Sequence, residues 1–499
     1  MIGDYVMKIC LLPLDSRPCN YRFPQQLANL RGVNLIEPPI DIMDFFKTPS
    51  NSRAIADWLK INCSDADVLV VSIDQLVYGG LIASRTNTKS LSEAQSQLML
   101  LKDIKKANPQ LRIFAFNVLM RISISAVDKQ SQIWWQKITE YSQLKYRSII
   151  GEQEEKERAN AQLAHLTKEI PSSILNEFLE VRRRNHTINM ECISLVSQGI
   201  LEQLVILQED CSEDAIQVFE QDIIKKTINE YGLQNRVFIH NGTDEAGMEL
   251  TVQAIALQRQ TTCDIQWLSE NRYFTARYED HPFIENLASH MSMMNIIYDP
   301  HAKNCLFILP PADQQGDYCP EKLPVVDYTP TQRTLMINKI LEQIEKGKCC
   351  YLLDLVYANG GDLAFLEALA AKTPLTRLYG YAAWNTASNS LGTILAQIIA
   401  ADGQNTPANK RFTTERLLDD LIYQAFIRQE LQEELQLAGQ DIWNITDLPR
   451  ANKMLNYQFD KNRQFIRRFL PIETRDFKKR LPWPRTFEAD IEVYKNDDI

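Results

Sequence analysis

Glu209 and Asp210 stand side by side directly after the apolar run 204–207 and Gln208. Carboxyl groups held this close push each other's pKa apart, so that one can donate a proton while the other stays ionised. Glycoside hydrolysis uses such a pair: one carboxyl protonates the leaving oxygen, and the second attacks the sugar, activates water or steers a substrate group. The next apolar run ends in His240, Asn241, Asp244 and Glu245. Two neighbouring tips with paired acids can supply either the two carboxyls of a glycosidase or hard oxygen ligands for a divalent cation. A plainer reading makes Glu209 and Asp210 an acidic helix N-terminus, and Thr243 to Glu245 a helix cap. Both readings stay open at this level.

Other tips carry groups suited to binding. Asp15, Arg17 and Asn20 lie in PLDSRPCN, where Pro13 and Pro18 stiffen the loop and hold a carboxylate and a guanidinium in fixed relation. That suits a clamp on a hydroxyl or carboxylate, and equally an internal ion pair. Asp74 and Arg85 flank Gly79 and Gly80, which permit close backbone approach to a ligand or a left-handed turn. Neither GxGxxG nor a GK[ST] ending is present, so this is no phosphate loop. Asn117 and Arg121 close another run, and Asn359 and Asp362 lie in ANGGD. Trp384, Asn385 and Asn389 combine a ring that can stack on a sugar with amides for its hydroxyls, although Asn389 also suits a helix cap. With Gln208 and Asn241, these residues are the expected substrate-binding set.

Other templates are missing. There is no GxSxG elbow and no HExxH, and the six histidines are dispersed. Cys19 and Cys211 lie near tips but have no base beside them. The ten cysteines form no CxxC pair and have no zinc spacing, so they read as small hydrophobes in a reducing compartment. Arg182, Arg183 and Arg184 read as the solvated face of a helix.

The elements that must position these tips are apolar runs of four to eight residues, the mark of strands buried on both faces in a parallel sheet. Such sheets place ligands at the carboxyl ends of their strands. Runs 8–14, 68–73 and 112–118 alternate with helices over 23–30, 51–61 and 92–107, with NLIEPP as a further strand. Ser90 or Ser92 can cap the helix that Pro109 ends. Strands resume at LVILQ, RVFIHN and CDIQWLS, with helices over 215–231 and 245–258, then at NCLFILPP, CYLLDLVYA and RLYGYAAWN.

The expectation is α/β: a TIM-like (β/α) barrel or an open parallel sheet, with a helical insertion at about 122–203 and a small C-terminal α+β cap. The domains would be 1–404, catalytic, and 405–499, the cap, joined by the polar linker GQNTPANKR. Within the cap FEADIEVY reads as a half-exposed strand. The insertion reads as a solvated hairpin on the outside, or alternatively as a lid.

The 499 residues are 45% hydrophobic and 24% charged, which is enough apolar material for a full core and far from the signature of disorder. A net charge of −10 gives no general attraction to nucleic acid or anionic lipid. No run approaches the roughly 20 apolar residues of a membrane span. The start has no basic segment followed by an apolar one, so a cytoplasmic location is expected. Oligomeric state is not legible.

Taken in order, PLDSRPCN, FKTP at 46–49, DQLVYGGLIASR, RRRN at 182–185, LQED, GTDEAG, GYAAWNTASNSLGT and LPWPRTFE resemble the bacterial family DUF4127 from about residue 7 to 494. The resemblance implies a family but no reaction. Where the family pattern has Gln-Asp-Asp and then a short Pro-Tyr-Gly-like segment, this chain has Gln208, Glu209, Asp210 and CSED. A longer first acid moves its carboxyl by about one bond length, which makes Asp210 the stronger of the two candidates. The adjacent acids and the Trp-Asn tip also resemble barrel hexosaminidases that use the substrate's acetamido group as nucleophile.

The functional expectation is a carbohydrate-active enzyme, a glycoside hydrolase, with Asp210, Glu209, Asp244 and Glu245 catalytic and no cofactor. One alternative is a metal-dependent hydrolase or phosphoryl-transfer enzyme whose acids hold a divalent metal and whose arginines hold an anion. The other is a non-catalytic sugar-binding protein.

Overall fold

The computed structural model describes residues 7–256, 259–318 and 328–494. Cys319 and the expected helix end at Gln258 lie outside the described residues. The chain forms two compact units. The first comprises residues up to Ser16, Asn34–Gly247 and Tyr278–Asp280; the second comprises Arg17–Val33, Met248–Arg277 and the chain from His281 onward.

In the first unit, β1 (Ile9–Leu12), β2 (Val68–Ser72), β3 (Arg112–Leu119), β4 (Gln203–Gln208) and β5 (Val237–Asn241) form a parallel sheet in that order. Every residue of β1, β2 and β4 is buried, as their unbroken apolar runs require. NLIEPP does not form a full strand. Only Ile36 pairs with the free side of β1, through Leu11 N to Ile36 O at 2.8 Å and Ile36 N to Ile9 O at 2.9 Å. Pro38 and Pro39 follow and have no N–H for a ladder, so the pairing stops.

The second unit contains β6 (Thr261–Trp267), β7 (Ile296–Tyr298), β8 (Asn304–Leu309), β9 (Gly316–Asp317), β10 (Cys349–Asp354), β11 (Tyr357–Ala358) and β12 (Gly380–Ala382). Its parallel sheet runs β12-β10-β8-β6-β7, while β9 and β11 pair separately. The chain therefore starts at β6, steps to β7 on one side, and returns to add β8, β10 and β12 on the other. That is the doubly wound order, whose ligands sit beyond the carboxyl ends of the strands. Of the two expected architectures, the open parallel sheet is the one present. A barrel needs each new strand on the same side until the sheet closes, and here the chain reverses at β6.

Three helices fill the insertion between β3 and β4: Lys129–Arg147, Gln153–Glu169 and Ser172–Ser197. They share a core that includes Ile138, Leu144, Ala159, Leu166 and Phe178. Ser90 caps the helix Leu91–Ala107 in a reciprocal capping box with Glu93. No helix among the described residues is long and apolar enough to cross a membrane.

Residues from 405 onward, expected as a separate cap, fall in the second unit. Leu417, Leu421 and Ile422 share a core with Phe307, Leu352 and Tyr381 of its sheet. The expected linker is already helical from Pro407, because Thr406 accepts the Asn409 N–H at 3.2 Å and Pro407 needs no donor at the first helical position. The strand expected near the end is β14 (Asp490–Val493), which is largely buried rather than half exposed; it pairs antiparallel with β13 (Phe477–Arg480), which does alternate between buried and exposed and whose Lys and Arg residues hid it from the apolar pattern.

Candidate functional site

At the end of β2 the chain turns at once into the short helix Ile73–Tyr78, capped by the Ser72 hydroxyl on Gln75 N at 3.1 Å. This turn drives Asp74 into the protein, where it is 2% exposed. Its Oδ2 accepts from Val118 N of the neighbouring β3 at 2.9 Å. Burial pushes the Asp74 carboxyl up to about 7; the Val118 N–H and the Ser84 hydroxyl pull the other way, the Glu209 carboxylate adds to the rise, and Arg85 opposes it.

Glu209 and Asp210, just past β4, each meet a guanidinium. Arg85 bonds to Glu209 Oε1 and donates to Ser125 Oγ at 2.9 Å. Arg121 pairs with the Asp210 carboxylate and lies 4.0 Å from Glu209 Oε1. The Glu209 and Asp210 side chains are 14% and 21% exposed, so they are more accessible than Asp74. Asp210 has φ +39°, a left-handed conformation that a non-glycine residue rarely adopts and that often marks functional positions.

Two acids matched by two guanidiniums suit a divalent cation poorly, since a metal would have to displace both arginines from the carboxylate oxygens.

The RRRN segment is not the solvated face that its charge suggests. Arg183 is exposed, but Arg182, Arg184 and Asn185 are buried. Arg184 donates to Ser84 O at 2.7 Å, Thr86 O at 2.9 Å and Lys89 O at 2.8 Å, and its guanidinium lies 4.3 Å from the Tyr78 ring centroid. Asn185 donates to Ser84 O at 2.9 Å. Arg182 donates to Arg121 O at 2.9 Å and pairs with Glu220 at 2.7 Å. The last inserted helix therefore braces both loops that present Arg85 and Arg121, which is more than an outside hairpin does.

At the end of β5, Gln208 donates to Asn241 Oδ1 at 2.7 Å and to both Asp280 oxygens at 3.1 Å. Gln208 and Asn241 thus tie adjacent strand ends together. Glu245 accepts from Thr243 N at 2.7 Å and lies 3.9 Å from His240 Nδ1. A Cβ at Gly242, whose φ is +109°, would stand 2.0 Å from Glu245 Oε1, so the loop closes only around a glycine. Asp244 is buried in the same loop, and Asp15 is buried after β1. Beside it Ser16 N donates to Asp44 Oδ1 at 3.0 Å, and Asp44 also fills the space a side chain at Gly80 would need. Asn117 donates to Asn189 Oδ1 at 2.6 Å and is buried.

The remaining predicted residues belong to the second unit. Arg17 lies 3.4 Å from Glu488 and 5.2 Å from the Trp483 ring centroid, so PLDSRPCN and LPWPRTFE meet there. Asn20 is buried in the first turn of the helix Pro18–Leu30. Asp362 caps the helix Leu363–Ala370 through Ala364 N and Phe365 N. Thr386 rather than Asn389 caps the helix Ala387–Ala401. Asn359 donates to Asp317 Oδ1 at 2.9 Å, its N–H donates to Asn385 O at 2.8 Å, and Trp384 is buried beside Asn385.

Sequence reasoning missed Asp354 at the end of β10, pushed by burial up to about 7, although YLLD carries the same signal as the other tips. It also missed Asp419 and Asp420, raised by burial to about 6 and about 7 beside Arg416. These two sit on a π-helical run, Leu417–Ile427, that no apolar pattern announces.

No curated protein and no solved structure matches the chain at a significant level. Residues 9–492 match the family described as "Protein of unknown function (DUF4127)", and with nearly its whole length so matched the chain belongs to that family.

Proposed function

We propose that the first unit is an acid–base hydrolase of glycosides, with the acids of β2 and β4 acting together. What supports this reading is one arrangement: a buried carboxyl, Asp74, raised to about 7 beside Glu209, whose Oε1 is held by Arg85. A carboxyl pair of this kind retains one proton near neutral pH, which is the state a general acid requires. Glu209, the accessible member, hands that proton to the glycosidic oxygen as the bond to the anomeric carbon breaks; water then adds to the anomeric carbon and returns a proton to the Glu209–Asp74 pair, which restores its starting state. Asp210, oriented by Arg121, faces the positive charge that develops on the sugar. Asp74 thus moves from a binding role to the acid–base pair, while Asp244 and Glu245 leave it.

The experiment is a screen of p-nitrophenyl glycosides with the purified protein, followed by the Glu209→Gln variant. Turnover of at least one glycoside is expected, falling by about 100-fold or more in Glu209→Gln. Failure to turn over any glycoside, or full activity in Glu209→Gln, refutes the proposal.

A further inference from the structure

We propose that the second unit carries a recognition site for a neutral polyhydroxylated ligand of monosaccharide size at the ends of β9, β11 and β12, with Asn359 as its central hydrogen-bond acceptor. This does not rest on the reaction proposed for the first unit.

β9 and β11 continue the chain beyond the carboxyl ends of β8 and β10 and pair in parallel, Tyr357 with Gly316 and Ala358 with Asp317. Asp317 ends β9, Asn359 follows β11, and Asn385 follows β12. The fold joins all three: Asn359 Nδ2 donates to Asp317 Oδ1 at 2.9 Å, and Asn359 N donates to Asn385 O at 2.8 Å. Asn359 and Asn385 both have φ +60°, the left-handed turn conformation that asparagine tolerates better than most residues.

The carboxylate acceptor fixes which end of the Asn359 amide faces Asp317, and so turns its carbonyl oxygen the other way. That oxygen is buried and has no hydrogen-bond partner among the described residues, in a residue that is 3% exposed. Buried acceptors are seldom left so. Asp362, three residues on, is in the same state: Oδ1 caps the following helix, and Oδ2 is buried with no hydrogen-bond partner among the described residues.

The Asn359 oxygen only accepts, so the ligand must donate to it, while Asp362 Oδ2 donates when protonated and accepts when ionised. Hydroxyl groups do this without charge, and burial pushes the Asp362 carboxyl up, which disfavours a cationic ligand. The loop is held for this purpose. Tyr318 donates to Gly361 O at 3.1 Å, and its ring would meet a Cβ at Gly360 at 2.7 Å, so Asn359 is positioned before any ligand arrives.

The test is calorimetric titration of the full-length protein with D-glucose, N-acetyl-D-glucosamine and myo-inositol. Asn359→Gly removes the acceptor while keeping a residue that tolerates positive φ, and Asn359→Ser is a second variant that lacks an acceptor at that reach. Binding of at least one probe is expected, weakened about tenfold in both variants and unchanged in Glu209→Gln. A wild-type urea midpoint in Asn359→Gly shows that the fold is intact. Absence of binding with all three probes, equal affinity in Asn359→Gly, or loss of binding in Glu209→Gln each overturns the proposal.

Discussion

Replacing Asp74 by Asn keeps an oxygen for the Val118 N–H and removes the one group at this site whose charge the protein opposes. Burial pushes this carboxyl up to about 7 from its ordinary value of 3.8. A carboxyl raised on folding contributes stability that is fully present below its unfolded pKa and lost as pH rises through the folded one. Each unit is worth about 1.4 kcal/mol, so by pH 8 the ionised, buried Asp74 weakens the first unit by about 4 kcal/mol relative to pH 3.5. The Asn variant escapes this loss. Urea denaturation of both proteins at pH 5 and pH 8 reads the effect, because Asp354, Asp419 and Asp420 shift in the same direction but contribute equally to both and cancel in the difference. The stability of Asp74→Asn relative to wild type should rise by about 3 kcal/mol between those two pH values, most of it by pH 7. A difference that stays flat with pH, or that falls, refutes the claim that Asp74 holds a proton near neutrality, and with it the acid–base pair of the proposed function.

Two further outcomes test the scaffold. Arg184→Met takes a donor from three loop carbonyls around Arg85, of which Ser84 O keeps Asn185, and should lower stability by about 3 kcal/mol in urea denaturation; a change below about 0.5 kcal/mol would mean the brace is dispensable. Gly242→Ala places a Cβ 2.0 Å from Glu245 Oε1 at φ +109°, so it should lower the thermal midpoint by several degrees or abolish soluble expression, and a wild-type midpoint would contradict the loop geometry.

Much of this protein is legible one strand at a time. The runs ending at Asp74, Gln208 and Asn241 are strands because uninterrupted aliphatic residues can be buried on both faces, and their tips carry polar groups because parallel sheets expose that edge. The capping box at Ser90 is likewise written within four residues. Where local chemistry offers two answers, the sequence reading divides: Asn389 and Thr386 both suit a cap, and the geometry of the turn uses Thr386. Where the apolar rhythm is broken by charge, it fails, as at β13 and at the π-helical run that carries Asp419 and Asp420.

The arginine run shows the limit most clearly. Helical spacing and hydration favour a solvated face for Arg182 to Arg184, yet Arg184 is drawn inward by carbonyls about a hundred residues earlier in the chain. Which acid carries the raised pKa is decided in the same way. Adjacency singles out Glu209 and Asp210, but both are accessible and matched by arginines, whereas Asp74 is buried against the end of β3.

The sequence by itself determines the strands, their parallel class and the polar rim, because these follow from the period and length of apolar runs. Only the tertiary structure decides which way the sheets wind, which carboxyl burial pushes up and which arginine pairs with Glu209. Arg85 and Glu209 are 124 residues apart, and the desolvation and pairing that set their chemistry exist only once the folded chain has brought them together.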